Sequence, residues 1–234
     1  MPNPPSHDWN LTPSEAITLQ KRLASQVERE DRFDPVRHIA GVDIGFEQKG
    51  AITRAAVVVL AWPPGVSGEF EPATLEIVEQ VVHREPTRMP YVPGLLSFRE
   101  VPAALGAFDK LTVKPQLVMV DGQGIAHPRR IGVASHLGLW LDLPTIGVAK
   151  SRLCGRHGEP GPARGDWTPL VDGREDELIG AVLRSRQGVK PIFVSPGHRV
   201  SLSTALDWVT ACLGHTKLPE PTRLADRLAS RRGR

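Results

Sequence analysis

Cysteine is scarce in this chain: Cys154 and Cys212 are the only two in 234 residues. They stand far apart and in no C-x-x-C spacing, which speaks against a disulfide scaffold or a cysteine-built zinc site and fits a reducing cytosol. Long apolar runs are missing as well. The longest clean one, AAVVVLAW (55–62), is too short to cross a bilayer, and the opening MPNPPSHDWN carries no basic-then-apolar signal. A soluble, cytoplasmic protein with no membrane partner is therefore expected. Aromatic residues make up only 5% of the chain, with a single tyrosine, Tyr91. Neither sign of charge dominates, because 29 Lys and Arg against 26 Asp and Glu leave a formal +3. The clusters HPRR (127–130) and RLASRRGR (227–234) tilt that balance towards a polyanionic partner, though weakly.

What is present suffices for one core. With 40% apolar residues, the length fits one α/β domain over 1–234, with 1–10 and 231–234 expected to be flexible. No helical seam is evident, so a monomer is the expectation. TPSEAITLQKRLASQVERE (12–30) has a Thr or Ser cap, Pro13 and Glu15 in its first turn and a helical spacing of apolar residues. HIAGVDIGF (38–46), TRAAVVVLAW (53–62) and LEIVEQVVHR (75–84) read as three sequential strands with short links, an antiparallel meander. Helices are predicted at 98–111 and 130–143, where Val101, Leu105 and Phe108 share one face of the first and Pro102 falls in its first turn. Strands are predicted at 115–122 and 144–150, so strand and helix alternate as parallel crossovers require. A Gly/Pro-rich loop (155–169) leads to strands in ELIGAVLRS and PIFVSP, and helices at 201–214 and 222–232 close the chain. This order predicts an α/β, ribonuclease H-like fold: a central mixed sheet, its first three strands antiparallel, flanked by helices.

Carboxylates occupy suggestive places in that scheme. Alternation in IAGVDIGF sets Val42 and Ile44 on one face and Asp43 on the other, inside a central strand. Asp121 ends the apolar strand QLVMVDG, where open α/β sheets place their sites. Glu100 opens a helix in line with the small Ala104 and Ala107, and Asp226 lies in EPTRLADRLA. Taken singly, each has an ordinary reading: a turn or capping aspartate, a helix-start glutamate favoured by the dipole, a partner for Arg223. Taken together, carboxylates from two strands and two helices can converge on a pair of divalent cations, and oxygen ligands of this kind suit Mg²⁺. The reaction class would be phosphodiester hydrolysis.

GVDIGF, MPYVPGLLSFRE, VDGQGIAHPRRIGVASHLGL, PTIGVAKSRLCG and EPTRLAD, in that order over roughly 10–230, resemble the endonuclease V family of deaminated-base repair nucleases. The resemblance implies a ribonuclease H-like fold and Mg²⁺-dependent cleavage, with Mn²⁺ as a substitute. The cut falls at the second phosphodiester 3′ to a deaminated base, chiefly hypoxanthine, leaving 3′-hydroxyl and 5′-phosphate ends. It implies DNA carrying such bases as partner and leaves inosine-containing RNA open. By position in those motifs, Asp43, Glu100 and Asp121 are the metal-site carboxylates, with Asp226 as the fourth member at a place where the family carries Asp or His. Lys150 lies by the scissile phosphate and His127 near the site. MPYVP matches the family's wedge, so Tyr91, bracketed by Pro90, Val92 and Pro93, fills the gap left when a nucleotide leaves the stack. Gly94 and Leu96 on one side, with Gly122 and Gly132 on the other, then form the pocket for the flipped base. One departure stands out: many bacterial relatives read DGHG where this chain has DGQG, so Gln123 is given no catalytic role.

Other readings fit less well. GVAKS lacks the glycine of a phosphate loop directly before its lysine. Ser135 and His136 are adjacent on a predicted helix, so their side chains diverge and no nucleophile–base pair is expected. Trp140 and Trp208 read as core residues on helices. An actin-like or sugar-kinase ATPase needs a far longer, duplicated chain, and a binding protein without catalysis does not need all four carboxylate positions filled.

Overall fold

The central element is one eight-stranded sheet in the order β3-β2-β1-β4-β5-β8-β7-β6. The computed structural model describes residues 6–32, 34–63, 75–174 and 176–230. Strand β1 (His38–Glu47) folds back on β2 (Ile52–Ala61) through a tight turn in which Gln48 and Lys49 take positive φ, and β2 pairs antiparallel with β3 (Ile77–Pro86). On its other side β1 pairs parallel with β4 (Leu117–Val120), and β4 with β5 (Thr145–Ala149). The antiparallel start and parallel crossovers are those expected from the sequence. Beyond β5 the sheet returns to antiparallel pairing, through β8 (Ile192–His198), β7 (Leu178–Leu183) and β6 (Trp167–Val171).

Strand β6 was expected to be loop. Its Pro169 cannot donate to a ladder, which argues against an interior strand, but β6 is the sheet's edge, where that loss is tolerated. Helix α1 (Pro13–Ala24) is shorter than the predicted 12–30, and its start has the expected reciprocal cap: the Glu15 N–H donates to Thr12 Oγ1, and the Thr12 N–H to Glu15 Oε2 at 2.8 Å. Helix α2 (Leu96–Phe108) begins two residues earlier than predicted, so Pro102 lies past the first turn and deprives the Phe98 carbonyl of its usual donor. Helices α3 (Val133–Leu141), α4 (Leu202–Ala211) and α5 (Glu220–Ser230) complete the set, and among the described residues none is long and apolar enough to cross a membrane.

Both faces of the sheet are covered. On one, Ile39, Met119, Ile146 and Val194 pack with α4 and α5 residues such as Val209 and Ala225. On the other, Ala40, Val42 and Val118 pack with Val101 and Ala104 of α2 and Leu137 of α3. A further cluster ties α1 to the loop before α2 through Leu19, Leu23, Met89, Leu95 and Phe98. Trp208 is half-buried against Trp62, and Trp140 donates its indole N–H to His7 at 3.1 Å. Within the stretch expected to be flexible, residues 1–5 lie outside the described part, as do 231–234, but His7 and Trp9 pack edge-on at 4.4 Å beside Phe98, because together they cover the α2–α3 junction.

Candidate active site

The alternation predicted for β1 holds: Val42 and Ile44 face α2 and α3. Helix α5 lies across the opposite face, where Gly41 has no room for a Cβ because the Pro221 carbonyl stands in its place. Arg54, buried on β2, fastens the far end of α5 by donating to the Leu228 carbonyl at 2.8 Å. Held so closely, α5 delivers Asp226 to Asp43. Asp121 follows β4 directly, and its N–H continues the ladder to the Val42 carbonyl at 2.9 Å. Among the described residues, carboxylate oxygens of Asp43, Asp121 and Asp226 all lie within 4.8 Å of one another.

Lys150, just after β5, closes this trio with its Nζ 2.5 Å from Asp121 Oδ2 and 2.5 Å from Asp226 Oδ1. Burial, and then the Asp121 carboxylate, push Asp43 up to about 7, against the pull of Lys150. Burial also raises Asp121, with Lys150 opposing it. Glu100 comes from α2 and stands outside the 4.8 Å trio. It is still near enough for Asp43 and Asp121 to add to its burial, and together these push it up to about 8. Crowded acid groups of this kind hold protons unless a cation neutralises them.

A cleft of about 380 Å³ opens beside the acids and joins them to the proline-bracketed loop. Tyr91, Pro93, Gly94, Leu96, Glu100, Asp121, Gly122, His127, Gly132 and Lys150 all line it. Pro90 and Val92 do not: Pro90 is exposed outside the cleft and Val92 packs back on the α1 cluster. Buried Met89 and Leu95 anchor the loop ends, while Tyr91 projects with 65% of its surface exposed. The Gly94 carbonyl fixes the loop from within, accepting from Gln20 Nε2 at 3.0 Å, His127 Nε2 at 3.0 Å and an Arg129 guanidinium N–H at 2.7 Å. His127 Nδ1 accepts the Arg129 backbone N–H at 3.1 Å, so Nε2 carries the ring proton. Burial, and then Arg129, bring its pKa down to about 4, and the ring is a neutral clamp.

The arginines of HPRR do not form the open basic patch that their sequence suggests. Arg129 turns inward to Gly94 and Gln20, and Arg130 is held by Asp172 and Glu177, each at 2.6 Å. His136 is fully buried and bonds Ser97 Oγ at 2.9 Å, so it forms no pair with Ser135. The sequence reading overlooked Gln20, whose signal was a polar residue on the apolar stripe of α1 beside Ala16, Leu19 and Leu23. It also gave Gln123 nothing to do. Gln123 lines the cleft and donates from Nε2 to the Ser151 carbonyl at 2.8 Å, next to Lys150.

The endonuclease V family model matches residues 21–227. The chain belongs to the endonuclease V family. The endonuclease V of Trichormus variabilis is 53% identical over 227 residues, covering 97% of each chain. Among solved structures, endonuclease V from Streptomyces avermitilis superposes with a TM-score of 0.85 at 40% identity, over 95% of this chain and 93% of that one. Ciona intestinalis endonuclease V, solved with a 24mer DNA containing an inosine followed by a ribo-adenosine, gives a TM-score of 0.76 at 27% identity over 92% and 95%. Endonuclease V is the deoxyinosine-repair endonuclease, a nuclease acting on DNA, and the mixed sheet flanked by helices is its ribonuclease H-like fold.

Proposed function

We propose that this endonuclease V, as a monomeric, cytoplasmic single domain, takes a deaminated base, chiefly hypoxanthine, out of DNA and hydrolyses the second phosphodiester 3′ to it, leaving 3′-hydroxyl and 5′-phosphate ends. The observation that carries the reading is a single continuous cleft lined by Tyr91, Gly94, Leu96, Gly122 and Gly132 and by Glu100, Asp121 and Lys150. The proline-held Tyr91 fills the stack vacated by the nucleotide, offsetting part of an unstacking cost on the order of a few kcal/mol. The glycines let backbone groups approach the extruded base. His127 keeps the wedge loop in place by donating to Gly94, and acts there as a neutral positioning group.

The acid cluster fits a hard divalent cation. Three oxygens within 4.8 Å, all from carboxylates, match Mg²⁺ or Mn²⁺, and the raised Asp43 and Glu100 are acids that gain from a neighbouring positive charge. Asp43, Asp121 and Asp226 would hold the metal, with Glu100 completing the site. Such an ion, when bound, supplies an activated water and neutralises charge on the phosphate. Lys150 sets a fixed ammonium at the same edge and faces the scissile phosphate. The experiment is a nicking assay with Mg²⁺ on an end-labelled duplex carrying one deoxyinosine, beside a deoxyadenosine control and a riboinosine strand. One nick, one nucleotide beyond the lesion on its 3′ side, is expected; equal cutting of the control would refute the reading.

A further inference from the structure

The strand register sets a row of residues along one end of the sheet. Ala149 pairs with Phe193, so the next residue, Lys150, comes opposite Ile192; Ile192 pairs with Leu183, and Leu183 with Trp167. Three strand spacings therefore separate Lys150 from Trp167, about 14 Å. Trp167 is 49% exposed on the edge strand. Over this row runs the β7–β8 connection, with Arg186 and Lys190 exposed. Lys217, from the α4–α5 connection, comes down beside it, its Nζ 3.4 Å from the Lys150 carbonyl. Burial, and then the Lys190 and Lys150 ammonium groups, lower the pKa of Lys217 against the weaker pull of Asp121.

Arg186, Lys190 and Lys217 have no carboxylate in salt-bridge range among the described residues, and the acids of this rim are occupied. Glu159 pairs with Arg184, Asp166 accepts the Ala163 N–H at 2.8 Å, and Asp226 holds Lys150. Like charges gathered without a counter-ion, next to an acid cluster that would otherwise repel a phosphodiester, call for an anion spread along the rim. Tryptophan at the far end offers a flat apolar face to a sugar or base.

We propose that this rim is the track for the DNA on one side of the lesion, with Lys217, Lys190 and Arg186 on successive phosphates and Trp167 packed on the nucleotide at the end. The inference rests on the reading of the acid cluster as the cutting centre. At one phosphate per 3.4 Å along each strand, a 14 Å rim spans about four nucleotides. Each lysine contributes one counter-ion released, and Trp167 contributes contact that does not depend on salt.

The test is the affinity of the full chain, in an Asp121→Asn background so that no strand is cut, for a deoxyinosine duplex across a salt series. Lys217→Ala and Lys190→Ala should each lower the slope of log affinity against log salt by about 0.9, and Lys217→Arg should restore it. Trp167→Ala should weaken binding about tenfold with the slope unchanged. Trimming the duplex to two nucleotides on one side of the inosine, and not on the other, should erase all three effects. Slopes unchanged by the lysine variants, or losses that survive trimming on either side, would overturn the track. Inosine-directed cutting by the unmodified enzyme reports on the underlying reading separately: if it persists while the rim variants are silent, only the track falls.

Discussion

The two ends of the cleft are built on opposite principles. At one, Asp43, Asp121, Asp226 and Glu100 are crowded together with a single lysine, and burial and then neighbouring carboxylates raise Asp43, Asp121 and Glu100. At the other, three neutral or cationic donors converge on one backbone carbonyl, that of Gly94, and the ring among them stays uncharged. The acid end crowds like charges that a cation would neutralise; the loop end is held by hydrogen bonds within the chain. On the proposed function, chemistry that depends on charge is thus kept apart from recognition that depends on shape, and each can be disturbed alone.

The comparison breaks most sharply at the acid end. Asp43→Ala or Asp121→Ala should lower cutting at saturating Mg²⁺ about a thousandfold or more, since several kcal/mol of charge stabilisation is lost. Their thermal midpoints should not fall, because each removes a buried like charge; single-turnover rates beside melting curves check both. A second prediction concerns pH. Asp43 at about 7 and Glu100 at about 8 lie above ordinary carboxylate values near 4, so the metal-free native state binds more protons than the unfolded chain. Their stabilising contribution is full below the unfolded values and is lost as pH rises through 7 to 8. Metal-free melting temperature should therefore drop between pH 5 and 9, and Asp43→Asn with Glu100→Gln should flatten that drop; a flat profile in the unmodified protein would refute the raised pKa values.

The loop end should respond more mildly and without pH dependence. Tyr91→Ala should cut the preference for deoxyinosine over undamaged duplex about tenfold, and Gln20→Leu, which frees the Gly94 carbonyl of one donor, should follow it in direction at about 1 kcal/mol. Competition binding measures both, and equal loss on both duplexes would remove the wedge. The smallest effect belongs to a donor-keeping variant at Gln123, whose Nε2 donates to the Ser151 carbonyl beside Lys150. Gln123→His keeps a donor there and should cost less than about threefold in kcat, whereas Gln123→Glu offers an acceptor to an acceptor and should cost about tenfold. The same loss in both variants would show that the donor does not matter.

Much of the fold was legible because its signals are local. The Thr12–Glu15 cap, the alternation around Asp43 and the apolar run ending at Asp121 are each written within a few residues. Strand β6 was not, because Pro169 forbids an interior ladder and nothing in the sequence marks the strand as an edge. The arginines of HPRR misled for a similar reason: their partners, Gly94, Asp172 and Glu177, come from distant segments.

The sequence by itself determined the groups from which a site could be built: four carboxylates, a lysine, and one tyrosine bracketed by prolines. Tertiary structure alone decided which of them meet. The contact that brings Asp226 to Asp43 depends on a helix seated over Gly41, the neutral state of His127 depends on its burial, and its tautomer depends on the Gly94 carbonyl from far along the chain. Periodicity and caps are set by neighbours along the backbone, but charge, burial and tautomer are set by neighbours in space.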